Sequence, residues 1–82
     1  MAQILRLPGV IAKSGLARST LYKMVAAKLW TKPIRLSARA VGWPGHEIDR
    51  LIGARVAGRS DREIRDLVIA LEAARRDADA AA

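Results

Sequence analysis

The chain has 82 residues, 51% of them hydrophobic, a size that allows one small core and excludes a second globular domain. It has no cysteine, which excludes disulfides and thiolate metal sites, and neither a membrane-spanning apolar run nor a signal-peptide pattern. The net charge is +7, and eight Lys and Arg but no acid precede Glu47. This acid-free basic half favours binding to a polyanion. A membrane surface is disfavoured, because no basic amphipathic helix carries bulky aromatic residues.

The first elements in chain order are predicted to be an extended lead and two short helices. Residues 1–7 form the lead, and Pro8 suits the first turn of a helix that ends at Ser14-Gly15, with Val10 and Ile11 facing inward. A second helix is predicted from about Ala17 to Ala27, with one apolar face formed by Leu21, Met24 and Val25. The glycine-containing turn of about three residues between them is the spacing of a helix-turn-helix.

The period of the sequence then changes from helical to alternating. Ile34 and Leu36 flank Arg35, and Val41 and Trp43 flank Gly42, which predicts two short strands. The Ser37-Ala38 pair is predicted to be the tip of this hairpin, with Arg35 and Arg39 close to it. The result is a two-stranded β-wing.

Two further helices follow the wing. The third spans roughly 45–55, with an inward face of Ile48, Leu51 and Ile52. Ser60 stands three residues before Glu63, which is a capping box and predicts the start of a fourth helix running to about Arg76. The tail from Asp77 to Ala82 is predicted to fray.

Several of these short runs resemble one known family. Leu5-Arg6-Leu7-Pro8-Gly9-Val10 resembles the opening of the AlpA-type regulators of prophages and integrative elements. The segments 14–23 and 32–37, and Val41-Gly42-Trp43 with Glu47-Ile48 after it, are similar to the same family. The resemblance covers about residues 4–56, and the family is related to excisionases and to the winged MerR-like fold.

The resemblance implies a fold and a function. The implied fold is a winged helix-turn-helix domain, placed at residues 1–56. Together with the linker and additional C-terminal helix that the capping box predicts at 57–82, the whole chain is expected to be mainly α. The implied function is DNA binding without a cofactor. We expect the binding to be sequence-specific for double-stranded DNA and to take place in the cytoplasm at the nucleoid. Within the family this serves either transcriptional control or excision, in which a recombination directionality factor steers a site-specific integrase.

The chain departs from the family pattern at three places. Ala17 stands where Ser or Thr usually caps the second helix, a loss on the order of 1 kcal/mol. Lys28 stands where a glycine commonly ends that helix. The helix is therefore expected either to run further or to be followed by a chain segment with a different conformation. Trp30-Thr31 replaces the more usual Phe-Pro.

The candidate DNA contacts lie on the second helix and the wing. Arg18 is the first choice for reading bases, because its guanidinium can pair with guanine O6 and N7. Tyr22 either contacts DNA or is a half-buried ring beneath the third helix. Ser19 and Thr20 are equally suited to phosphate and to base contacts. The remaining candidates are assigned to the phosphate backbone: Lys23, Lys28, Lys32, Arg35, Ser37 and Arg39.

The fourth helix carries one apolar stripe, formed by Ile64, Leu67, Val68 and Leu71. This stripe either packs back on the winged domain or pairs with another protomer. Self-association is predicted, because small DNA-binding modules gain affinity from multiple contacts. It would be cooperative or head-to-tail along DNA. The alternative function is that of an adaptor docking on an integrase through this helix.

Trp30 and Trp43 are expected to be core anchors, since the chain has no Phe and few large side chains.

Other residues argue against catalysis and metal binding. His46 has no second His or Cys with which to share a metal and is expected at the surface. No Gly-rich phosphate loop, nucleophile–base pair or carboxylate cluster is present, so no enzyme activity is predicted.

Overall fold

The computed structural model describes residues 3–78, which form four α-helices and three β-strands. The mainly α, winged helix-like architecture predicted from the sequence is confirmed. No helix of the described part is long and apolar enough to cross a membrane. In chain order the elements are β1 (Ile4–Arg6), α1 (Leu7–Ser14), α2 (Arg18–Ala26), β2 (Ile34–Ser37), β3 (Ala40–Pro44), α3 (Gly45–Val56) and α4 (Asp61–Ala74).

Helices α1 and α2 form the predicted pair, joined by a turn of three residues. Gly15 ends α1 with a φ of 73°, a left-handed conformation that glycine adopts without strain, and its N–H donates to the Ile11 carbonyl at 2.9 Å. Val10 is buried, as expected, whereas Ile11 is only half-buried. Helix α2 begins at Arg18, one residue later than predicted, because Ala17 has an extended backbone and provides no side-chain cap.

The end of α2 shows how the chain does without the usual glycine. Lys28 has a φ of 65°, the left-handed conformation in which a side chain is strained. The Lys28 N–H donates to the Val25 carbonyl at 3.1 Å, and the Leu29 N–H donates to the Met24 carbonyl at 2.8 Å. These two bonds form a Schellman motif. The helix therefore does not run further but ends at Ala26 with a lysine in the place suited to glycine.

The sheet has three strands in the order β1-β3-β2, all antiparallel. Strands β2 and β3 form the predicted two-stranded wing, and β1, for which no strand is predicted, extends the sheet on the other edge of β3. Strand β1, expected only as an extended lead, pairs with β3, and Leu5 lies opposite Trp43. A three-residue strand is too short to show alternation in the sequence. Gly42 fits because a Cβ there would lie 2.6 Å from Ile4 Cγ2.

The wing hairpin turns one residue later than predicted. Strand β2 continues through Ser37, so Ala38 and Arg39 form the turn instead of Ser37-Ala38. A register shift between Arg35 and Ser37 inserts an extra residue into β2. Such a bulge changes the count of residues on one strand and cannot be read from alternation alone.

The core lies between the sheet and the helices. Trp30 and Trp43 are 1% and 0% exposed, which confirms both as core anchors. The predicted capping box of α4 is also confirmed: Ser60 Oγ accepts from the Glu63 N–H, and the Glu63 carboxylate accepts from the Ser60 N–H. Helix α4 ends at Ala74 and is followed by a 3-10 turn over Arg75–Asp77, close to the predicted end at Arg76.

The apolar stripe of α4 packs on the protomer's own core, so its assignment to a self-association surface is a misassignment. Ile64, Val68 and Leu71 are 3%, 2% and 6% exposed, and Leu67 is partly buried against the same cluster. The apolar stripe indicates that one face of the helix is buried, and in the structure this face packs against α3 and the core. The core is thus continuous across the predicted boundary at residue 56. The predicted fraying falls mostly on 79–82, outside the described residues.

Candidate nucleic-acid interface

Helix α2 buries one side and exposes a polar, basic side. Leu21 and Met24 are buried. Successive residues of a helix advance by about 100°, so the remaining side chains form one continuous arc of its surface. Those predicted to contact DNA all lie on this arc and are all exposed: Arg18, Ser19, Thr20, Tyr22 and Lys23.

The start of α2 offers unpaired backbone donors beside these side chains. Ala17 provides no side-chain cap, and the first turn contains no acid. The first N–H groups of a helix and its dipole favour an anion at this end. The exposed Arg18 stands at the same place, so the N-terminal end of α2 combines a cation with backbone donors.

Tyr22 packs its ring against a tryptophan of the sheet and is partly exposed to solvent. Its ring centroid lies 6.4 Å from that of Trp43, with a tilt of 60° between the planes. Tyr22 is 39% exposed, whereas Trp43 is fully buried and donates from Nε1 to the Thr31 carbonyl at 2.8 Å. Tyr22 therefore remains exposed while its ring packs on a tryptophan of the sheet.

The wing brings Arg35 to the same side of the sheet as α2. Arg35 lies opposite Val41, and residues directly opposite in antiparallel strands share one face. Trp43 stands two residues along β3 on that same face, where Tyr22 packs. Arg35 is exposed at the far end of this face.

The tip and base of the wing hold the remaining predicted contacts. Arg39 is exposed in the turn, and its N–H donates to Ser37 Oγ at 3.4 Å, so the Ser37 hydroxyl also takes part in the turn. Lys28 and Lys32 are exposed in the connection between α2 and β2. The side chains predicted from the sequence thus lie on α2, on the connection after it and on the wing.

The charge of this surface is largely uncompensated within the described residues. Three ion pairs occur there: Lys13–Asp49 at 2.6 Å, Arg59–Glu63 at 3.3 Å and Arg75–Glu47 at 2.7 Å. Of the cations that precede Glu47, only Lys13 takes part in one of them. The arginines and lysines of α2 and the wing are therefore available for an external anion.

A second polar network, which the sequence patterns do not predict, joins α3 to the turn after α4. Glu47 is fully buried and accepts from Arg75 Nε at 2.8 Å and from its terminal nitrogen at 2.7 Å. Each residue stands four positions from a buried leucine, Glu47 from Leu51 and Arg75 from Leu71. One acidic and one basic residue thus fall on inward-facing sides of their helical segments, and this is the only feature of the sequence that indicates the pair.

Residues 3–78 contain no group of three or more His, Cys, Asp or Glu side chains that could hold a metal ion. His46 is exposed, as expected. The arrangement is instead that of a small winged helix-like protein with an exposed basic helix.

Comparison with known proteins agrees with this class. The family model described as Prophage CP4-57 regulatory protein (AlpA) matches residues 3–56. The chain is 39% identical over 59 residues to the DNA-binding transcriptional activator AlpA of Escherichia coli (strain K12), an alignment that covers 65% of this chain and 84% of that protein. No solved structure matches the chain. The chain belongs to the AlpA family of prophage regulatory proteins.

Proposed function

We propose that this protein binds double-stranded DNA sequence-specifically, with α2 in the major groove and the wing along the flanking backbone. The observation that supports the proposal is the shared face: Tyr22 of α2 and Arg35 of the wing lie on the Trp43 side of the sheet. A duplex approaching that face would meet a basic helix and a basic hairpin together. An α-helix fits the major groove, and a wing reaches the adjacent phosphates.

Each side chain has a proposed role. Arg18 reads guanine through O6 and N7, because it is long, exposed and at the start of the helix. Ser19 and Thr20 reach phosphates or bases near the same end, and Tyr22 presents its exposed edge to the groove. The backbone contacts come from Lys23, Lys28, Lys32, Arg35, Ser37 and Arg39.

The biological role proposed is control of a mobile genetic element. The Escherichia coli relative is described as a DNA-binding transcriptional activator, and we propose transcriptional regulation for this protein as well. An excisionase role uses the same fold, and the position of the bound sites distinguishes the two. Protection at a promoter would indicate a regulator, whereas protection at an attachment site would indicate a recombination directionality factor acting with an integrase. Either role would be carried out in the cytoplasm.

The proposal is tested by footprinting the purified chain on DNA of its own element. About four to six phosphate contacts give a slope of log Kobs against log salt of roughly −4 to −5 per protomer. A protected site with that slope supports the proposal. A slope near zero, or no protected site, contradicts it.

The alternative, an adaptor that docks on an integrase through α4, has a weaker basis now that the stripe is buried. Ile64, Val68 and Leu71 are unavailable to a partner unless α4 leaves the core. Footprinting with the protein alone discriminates between the two functions, because an adaptor leaves no protected site. Cooperative or head-to-tail self-association on DNA remains a proposal that sedimentation with and without DNA tests. It would require a surface other than this stripe.

A further inference from the structure

Helix α4 and the turn after it hold the connection between α2 and β2 by its backbone. Arg65 Nε donates to the Ala27 carbonyl at 3.1 Å, at the end of α2. Further along, the Glu72 carboxylate accepts from the Lys32 N–H at 2.8 Å, and an Arg75 terminal nitrogen donates to the Lys32 carbonyl at 2.7 Å. Both backbone groups of Lys32 are thus bound by side chains about 40 residues away. We call Glu72, Arg75 and the Lys32 backbone the Lys32 clamp.

The clamp is fixed at its base. The Arg75 guanidinium that holds the Lys32 carbonyl also makes two hydrogen bonds to Glu47, which is fully buried at the start of α3. The residue before Lys32 is held as well, since the Trp43 indole donates to the Thr31 carbonyl. A planar guanidinium bound at several points has little freedom to turn. The Lys32 peptide is therefore tied to α3 and to β3 as well as to α4.

Glu72 is an unexpected residue at this place on electrostatic grounds. Its carboxylate contacts the backbone of Lys32, a cation of the surface proposed to meet DNA. An acid there opposes the attraction of a polyanion. A specific backbone hydrogen bond is a structural reason for its presence, because a carboxylate is a strong acceptor for an N–H group.

We propose that Glu72 and Arg75 are positioning residues for DNA binding, which fix the Lys32 connection and so hold the wing in a set orientation to α2. The inference rests on the function proposed above. Residues beyond the region matched by the family model are then part of the DNA-binding unit. A connection that is already ordered need not be ordered on binding, a saving worth about two- to tenfold in affinity.

The experiment compares three variants that separate the electrostatic effect of Glu72 on DNA binding from its positioning effect. Glu72→Ala removes the charge and the acceptor, whereas Glu72→Gln removes the charge and keeps an amide oxygen that can accept from the Lys32 N–H. Asp66→Ala removes a charge from an exposed site on the same helix that makes no ion pair within residues 3–78. All three lose one negative charge, so charge alone predicts equal or tighter DNA binding for all of them.

The clamp predicts a different order. Glu72→Ala binds DNA about two- to tenfold more weakly than Glu72→Gln, and Asp66→Ala binds at least as tightly as the wild type. The salt slope of Glu72→Ala falls by about 1, the loss of one phosphate contact. Its hydroxyl-radical footprint loses protection beside the wing and keeps protection where α2 lies. A general loss of stability would weaken both parts of the footprint together.

Amide hydrogen exchange tests the clamp without relying on any variant. The Lys32 N–H exchanges slowly in the wild-type protein, and in Glu72→Ala it exchanges much faster, with the core amides of α2 unchanged. Fast exchange at Lys32 in the wild type overturns the inference. The inference is also overturned if the wild type binds DNA but Glu72→Ala and Glu72→Gln show equal affinities and footprints. That result leaves the proposed function standing. A wild type with no protected site overturns both.

Discussion

The guanidinium of Arg75 and the buried carboxylate of Glu47 form a two-point ion pair, with distances of 2.8 and 2.7 Å, that joins the turn after α4 to the start of α3. Glu47 is 0% exposed and the Arg75 side chain is 17% exposed. The Glu47 carboxylate is therefore shielded from solvent. The two charges need each other, because a buried carboxylate without a cation is unfavourable.

Arg75→Ala is accordingly expected to destabilise the protein by about 3–5 kcal/mol, since it strands the Glu47 carboxylate in the core. Urea unfolding followed by circular dichroism measures the free energy of unfolding. Arg76→Ala is the matched control, because Arg76 is exposed and next in the chain. Adding Glu47→Gln to Arg75→Ala should restore part of the loss. Equal stability of the Arg75 and Arg76 variants would show that the ion pair contributes nothing.

Arg18 and Lys32 are expected to affect DNA binding in different ways. Arg18→Ala should relax preference at one base position and cost about 1–3 kcal/mol on the preferred site, because a bidentate contact to guanine is lost. Lys32→Ala should weaken binding to all sequences alike and lower the salt slope by about 1. Selection from a randomised site library separates these outcomes. Identical profiles for the two variants would mean that α2 is not the base-reading helix.

Lys28→Gly should raise stability while it weakens DNA binding. Glycine relieves the strain of a φ of 65°, which is worth about 1 kcal/mol, and the Schellman bonds stay in place. Lys28→Ala is the matched control, since it removes the cation but keeps the strain. The two variants should lose DNA affinity to the same extent and differ in the midpoint of thermal unfolding. Equal midpoints would rule out strain at this residue.

The helices of this fold could be predicted from the sequence because their signals are local. The capping box of Ser60 and Glu63 lies within four residues, and the turn around Gly15 needs only one special conformation. Strand β1 could not be predicted, because its partner β3 lies almost 40 residues away and its three residues carry no periodicity of their own. The turn at Ala38-Arg39 depends on a bulge, which is likewise invisible to alternation.

The candidate DNA-binding site could likewise be predicted only in part from the sequence. The exposed arc of α2 follows from helical spacing, so Arg18 and Tyr22 could be proposed directly. The apolar stripe of α4 revealed that Ile64 and its neighbours are covered, but an amphipathic pattern does not identify what covers them. The hydrogen bond that the Glu72 carboxylate accepts from the Lys32 N–H depends on tertiary packing, and no local rule joins residues 40 positions apart.

Acid should weaken the start of α4 through Glu63. The hydrogen bond from the Ser60 backbone N–H, followed by that with the Ser60 side chain, lowers the pKa of the Glu63 carboxyl below its ordinary value. Its stabilising effect is therefore complete above the pKa of the carboxyl in the unfolded state and is lost as the pH falls through the lower, folded-state pKa. The stability difference between wild type and Glu63→Gln should shrink as the pH is lowered from about 6 to about 3. A difference independent of pH would contradict this role for the carboxylate.

Ala17→Ser should stabilise α2, and the chain itself supplies the reference. Ala17 precedes α2 with φ −70° and ψ 155°, nearly the backbone of Ser60 before α4, which has φ −68° and ψ 162°. Only Ser60 has a side chain that accepts from an N–H of its helix. A serine at 17 can accept from the Thr20 N–H in the same way, which should add about 1 kcal/mol, and Ser60→Ala should remove a similar amount. Chemical denaturation of both variants measures the pair. If Ala17→Ser does not raise the free energy of unfolding while Ser60→Ala lowers it, then packing against neighbouring residues, and not N-capping, determines the stability of the start of α2.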